Sequence, residues 1–144
     1  MIIKNLNALR NKNLAFAIHC NKHKNNAEKL SRKIGNKSKL FKADLENPEE
    51  CEKLFNDVVK EFGHIDVLVN NAGRAIISPI KSKNWIQDWD KTMAINLRAA
   101  GILCRLAIQH FKSLHTFVLK SPPIANLQTV GGHCKVAQQT ATTR

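Results

Sequence analysis

The run Ile65-Asp66-Val67-Leu68-Val69, passing straight into Asn70-Asn71-Ala72-Gly73, restricts the fold of this chain more than any other stretch. A strand with one wet face alternates apolar and polar residues, whereas a continuous apolar run of this length suits a parallel strand covered on both faces. Parallel strands need long crossover connections, normally helices. In such sheets ligands sit outside the carboxyl ends of the strands, so polar and small residues closing an apolar strand face a ligand crevice. Asn70 and Asn71 bring amides that can bond neighbouring backbone and hold the turn, and Ala72 and Gly73 have little side chain to obstruct a close approach.

The flanking sequence supplies the helices that this strand requires. Ile2, Ile3, Leu6 and Leu9 fall at helical spacing, so an amphipathic helix is expected at the start. The apolar run at residues 13–20 reads as a strand, and Ala27, Leu30 and Ile34 then repeat at helical spacing up to Gly35. A second strand is expected over 39–45, ending at Asp44 and Leu45. A helix follows with Asn47 at the N-cap, Pro48 at N1 and acids in its first turn, its apolar side formed by Cys51, Leu54, Phe55, Val58 and Phe62 before Gly63. A long helix is expected from about Trp85 to Phe111 with Trp89, Met93 and Leu97 inside, and a further strand over 116–119. The alternation predicts an α/β domain with a parallel sheet. Residues 1–121 read as that domain and 122–144 as an irregular tail.

Composition narrows the function classes. A chain of 144 residues is the size of one domain, and it contains no apolar run of the roughly 18–20 residues that span a bilayer. With no signal-peptide pattern at Met1 and four scattered cysteines (Cys20, Cys51, Cys104, Cys134), a cytoplasmic protein without disulfides is expected, and no membrane partner. His19, Cys20 and His23 stand close together, but three candidate ligands without a fourth do not make a zinc site, and no metal is expected. The net charge of +12 is uneven: residues 1–42 hold eleven Lys or Arg against Glu28 alone, and residues 43–144 hold twelve against ten acids. That excess suits an anionic partner such as a phosphorylated cofactor or a polyanion.

Asp44 in Lys42-Ala43-Asp44-Leu45, the string Phe62 to Gly73 with its Asn-Asn-Ala-Gly ending, and Trp89 to Leu97 with Asn96 together resemble the short-chain dehydrogenase/reductase family. The resemblance implies a Rossmann-like doubly wound parallel sheet and an NAD- or NADP-dependent oxidoreductase. It implies that Asp44 and Leu45 border the adenine, that Asn70 stabilises the central sheet, that Ala72 and Gly73 line the cofactor, and that Asn96 and Ser121 match supporting catalytic positions. At the end of the first strand, where a Rossmann domain often carries an acid for the ribose hydroxyls, stand Cys20, Asn21 and Lys22. No carboxylate is present there, so NADP is expected over NAD.

The chain departs from that pattern at both ends. The glycine-rich phosphate loop belongs between a first strand and a first helix, yet the first glycine here is Gly35. The fold is therefore expected to be incomplete, lacking its first strand and its C-terminal strands, with the sheet either closing across a gap or exposing strand edges. The family's reaction needs a tyrosine that passes a proton to or from the substrate oxygen and a lysine four residues later that lowers the tyrosine's pKa, but the sequence contains no tyrosine; Cys134 stands thirteen residues beyond Ser121, Gln138 four further on, and Lys135 is out of step. An inactive relic of an oxidoreductase is the leading expectation. The alternative is a non-enzymatic module binding nucleic acid or another polyanion through its basic first third, where Phe41 is the one aromatic ring of Phe, Tyr or Trp interleaved among the cations from Lys22 to Lys42 to stack on a base. Association as a homo-oligomer or with a full-length relative completes the expected partners.

Overall fold

The computed structural model describes residues 15–22, 24–35 and 38–113, together with the backbone of short strands at 124–126, 129–130 and 133–134. The helix expected over residues 2–9, the strand expected over 116–119, His23, Ser121 and Gln138 lie outside the described residues. The chain divides into two compact units, residues 1–65 and 66–144.

In the first unit, β1 (Phe16–Cys20) and β2 (Ser38–Lys42) form a parallel pair in register from Phe16 opposite Ser38 to Cys20 opposite Lys42. The crossover is α1 (Lys24–Ile34). It stops at Gly35, whose φ of 102° is a backbone conformation that other residues adopt at a cost. Ser38 then ties β2 to the helix end, its Oγ donating to Gly35 O at 2.9 Å. Helix α2 (Pro48–Phe62) starts as its sequence requires: Asn47 Oδ1 accepts from Glu49 N and Glu50 N, and Pro48 occupies the first turn, where no N–H is needed. It ends at Gly63, with φ 80°, whose N–H donates to Val59 O. Cys51, Leu54, Phe55 and Val58 of α2 are buried with Ile18, Ala27, Ala43 and Leu45. Burying a side chain the size of Phe55 or Leu54 contributes roughly 1.5–3 kcal/mol.

The strand expected over 39–45 ends at Lys42. Asp44 and Asn47 draw the following residues into a turn, with Asn47 N donating to Asp44 O at 3.0 Å.

In the second unit, β3 (Leu68–Asn70) pairs in parallel with β4 (Ile124–Asn126). It is shorter than the apolar run that announced it. Its three residues are half-buried and Val67 is exposed, so the expected cover on both faces is not realised among the described residues. The strands are paired two by two, β1 with β2 and β3 with β4. Weak periodicity after residue 121 left no element in view, yet β5 (Thr129–Val130) and β6 (His133–Cys134) form a short antiparallel pair there.

The expected long helix is present as α3 (Trp85–Met93), a π-helical turn (Ala94–Ala99) and α4 (Ala100–Ser113). Its inner side differs from the expectation. Trp89 is 51% and Leu97 66% exposed, and Met93 is exposed as well, whereas Ala94, Ala99, Leu103 and Ala107 are buried. Small side chains let the helix approach its neighbours closely. The π turn shifts the register of α4 relative to α3, so a strict 3.6-residue period does not carry through from one to the other. Trp85 and Trp89 stack on each other, ring centroids 5.6 Å apart. No helix among the described residues is long and apolar enough to cross a membrane.

Candidate functional site

Two constellations gather the residues singled out by the sequence, one in each unit. The first is the turn between β2 and α2. Ala43 N donates to Cys20 O at 3.2 Å, and His19 Nε2 lies 3.0 Å from Ala43 O, in place to donate to it. Asp44 N donates to Glu50 Oε2 at 2.7 Å, and Glu46 N to Asp44 Oδ1 at 3.1 Å. The Cys51 thiol donates weakly to Leu45 O at 3.7 Å. After these bonds, the Leu45 N–H and Asp44 Oδ2 are the polar atoms of residues 44 and 45 without partners among the described residues. A donor and an acceptor on consecutive residues form a short edge that can read a complementary pair on a planar heterocycle.

Asn21 and Lys22 form the bend that follows β1, with Lys22 exposed. Because Cys20 is opposite Lys42 in the parallel ladder, the ammonium groups of Lys22 and Lys42 belong to the carboxyl ends of the two strands. Lys39 is drawn off to an ion pair with Glu61, and Lys24 to one with Glu28. Burial pushes the His19 imidazole below its ordinary pKa of 6.5, partly offset by its bond to the Ala43 carbonyl. The ring is thereby kept neutral, with one nitrogen protonated for that bond.

The second constellation is the strand end at Asn70. Asn70 Nδ2 donates to Cys104 Sγ at 3.2 Å, which fastens the end of β3 to α4. Asn71 is 7% exposed and its Oδ1 has no hydrogen-bond partner among the described residues, so it does not make the backbone bond expected of that oxygen. Ala72 and Gly73 are exposed in a segment without regular secondary structure. Asn96, in the π turn, accepts from Arg74 N and donates to Arg74 O, both at 2.8 Å, so one amide side chain copies the pairing of a neighbouring strand. A Cβ on Gly73 would stand 3.6 Å from Asn96 Oδ1, an ordinary contact, so glycine leaves this surface open rather than relieving a clash.

The structure thus brings Asn96 together with the segment after Asn71, and Asp44 with Leu45. His19, Glu50 and Cys104 were missed as site residues. Glu50 was visible as an acid three residues after an N-cap, the position from which a side chain reaches back over a helix start. Nothing in the sequence marks Cys104 as the partner of Asn70, since the two are 34 residues apart.

A family model described as short chain dehydrogenase matches residues 3–141. The chain is 29% identical over 105 residues to the hydroxynaphthalene reductase-like protein Arp2 of Metarhizium robertsii, covering 73% of this chain and 39% of that protein. It is 32% identical over 91 residues to an NADP-dependent mannitol dehydrogenase of Alternaria alternata, covering 63% of this chain and 34% of that protein. A short chain dehydrogenase from Burkholderia cenocepacia, solved in complex with NADP, is similar with a TM-score of 0.65 at 26% identity, over 72% of this chain and 43% of that one. The chain therefore spans well under two thirds of the length of the proteins that it matches.

Proposed function

The chain belongs to the short chain dehydrogenase family and carries part of its Rossmann-like parallel sheet, and on that premise we propose that the first unit holds the adenosine end of a nicotinamide dinucleotide. The observation that carries this reading is the turn after β2, which leaves one donor and one acceptor, Leu45 N–H and Asp44 Oδ2, after its other bonds are made. An adenine edge presents the complement, an acceptor ring nitrogen beside an amino donor. In the second unit, taken by itself, Ala72 and Gly73 leave an open surface beside the Asn96 clamp on Arg74, which supports their proposed role as cofactor-lining residues.

NADP is preferred to NAD. Lys22 and Lys42 at the strand ends attract a 2′-phosphate, and no acid follows β1 to compete with it. Asn21, half-buried beside Lys22, can hydrogen-bond the same ribose.

A bound nicotinamide supplies a hydride to a carbonyl carbon. The chain's own residues bind and orient. Asn96 holds the strand-end segment, with Ser121 proposed as a supporting hydroxyl. The sequence has no tyrosine to move the accompanying proton. We therefore expect this chain alone to bind cofactor without reducing carbonyls at a family-like rate. The apolar side chains exposed on α3 and the π turn support association with a second family chain, and Cys20, Cys51 and Cys104, which form no disulfide among the described residues, support action in the cytoplasm.

The test is thermal unfolding of the chain with NADPH or NADH. At about 100 times its dissociation constant a ligand of the folded state adds roughly 2.7 kcal/mol. A larger upward shift with NADPH, reduced in Lys42→Ser, supports the reading. A cooperative melt unmoved by either cofactor overturns it. A polyanion site would instead show binding that weakens with salt at a slope well above that of one phosphate.

A further inference from the structure

We propose that His19 and Glu50 are positioning residues for adenine discrimination, an inference that rests on the adenosine reading above. Neither is needed to contact the base. His19, the fourth residue of β1, lies with Nε2 3.0 Å from the Ala43 carbonyl, and Glu50, in the first turn of α2, accepts the Asp44 N–H at 2.7 Å. The two bonds act on consecutive residues. One fixes the peptide that precedes Asp44, and the other occupies the Asp44 N–H.

What remains is set by elimination. With Asp44 N taken by Glu50, Asp44 O by Asn47 N and Asp44 Oδ1 by Glu46 N, the Leu45 N–H and Asp44 Oδ2, on consecutive residues, are the polar atoms left over for a ligand among the described residues. Glu50 is thus the residue that keeps a second backbone N–H from competing for the ligand. His19 ties the same turn to β1, where a local bond could not reach. Cys51 adds a weak third tie from its thiol to Leu45 O at 3.7 Å. Adenine meets the remaining pair with an acceptor ring nitrogen and an amino donor. Hypoxanthine reverses both, setting its ring N–H against the Leu45 N–H and its oxygen against the Asp44 carboxylate. A polar edge held rigidly rejects such a mismatch, because each group is left unpaired, whereas a loose edge rotates and tolerates it.

The experiment compares binding of reduced NADP with that of its hypoxanthine analogue to the whole chain, for wild type and for His19→Leu, His19→Gln, Glu50→Ala and Glu50→Gln. The expected result is a wild-type preference for adenine of about tenfold or more. In His19→Leu and Glu50→Ala the preference falls toward unity, and in the two Gln variants, which keep the donor and the acceptor, it is retained. A merely structural role would weaken both ligands equally and leave the ratio alone. A wild-type preference that survives both His19→Leu and Glu50→Ala overturns the positioning proposal while the adenosine reading stands. Binding of neither ligand, or of both equally, by the wild type overturns the adenosine reading and this inference with it. Glu50 is half-exposed on a helix capped independently by Asn47, so Glu50→Ala decides the matter even where His19→Leu does not fold.

Discussion

Removing the Asn96 side chain tests how the strand-end segment is held. In Asn96→Ala, Arg74 loses both bonds, the one to its N–H and the one to its carbonyl, each 2.8 Å long in the wild type. A hydrogen bond between neutral groups contributes a net ~0.5–1.5 kcal/mol. Two such bonds on a half-exposed amide are therefore worth about 1–3 kcal/mol, without a cavity contribution because the site is open to water. For a chain of 144 residues each kcal/mol lowers the melting temperature by roughly 2–5 °C. Asn96→Asp separates the two bonds: the carboxylate still accepts from Arg74 N–H but sets a second oxygen against the Arg74 carbonyl, and it is expected to be no more stable than Asn96→Ala. Scanning calorimetry gives the global loss, and amide exchange at Arg74 gives the local one, which should rise in both variants. An Asn96→Ala protein with unchanged melting temperature and unchanged exchange at Arg74 would refute the clamp.

Three further outcomes are expected. Asn47→Ala removes the acceptor for Glu49 N and Glu50 N and should cost about 1 kcal/mol, read as a lower melting temperature, with Asn47→Asp retaining most of it. Ala107 is fully buried, so Ala107→Leu forces a side chain into filled space and should cost ~1–3 kcal/mol in denaturant unfolding. Burial holds the His19 pKa below 6.5, so below that pH the unfolded chain binds the proton more readily. Stability contributed by the neutral ring is complete above about pH 6.5 and is lost as pH falls toward the lowered folded value; His19→Gln should flatten melting temperature as pH falls below 6.5.

The first unit was legible because its signals are local. Asn47 and Pro48 start α2, Gly63 ends it, and Gly35 ends α1, each through conformational preferences of one or two residues that act in any context. Asp44 and Leu45, and the segment from Asn70 to Gly73, could be singled out as candidate site residues because strand ends in parallel sheets face ligands, a rule of topology that needs no coordinates. The second unit was less legible. Trp89, Met93 and Leu97 were assigned inward for their size, but burial follows the space between elements, and that space takes Ala94, Ala99 and Ala107. The π turn has no local signature; it accompanies a side chain, Asn96, whose partners lie 22 residues away.

Family, order of elements and helix caps were thus determined by residue identities alone, since each rests on patterns within one strand or one helical turn. Which polar atoms are consumed and which are left for a ligand was decided only in three dimensions. His19 and Ala43, Asn70 and Cys104, and Asn96 and Arg74 are distant in sequence, and a hydrogen bond depends on position and direction that no spacing rule supplies.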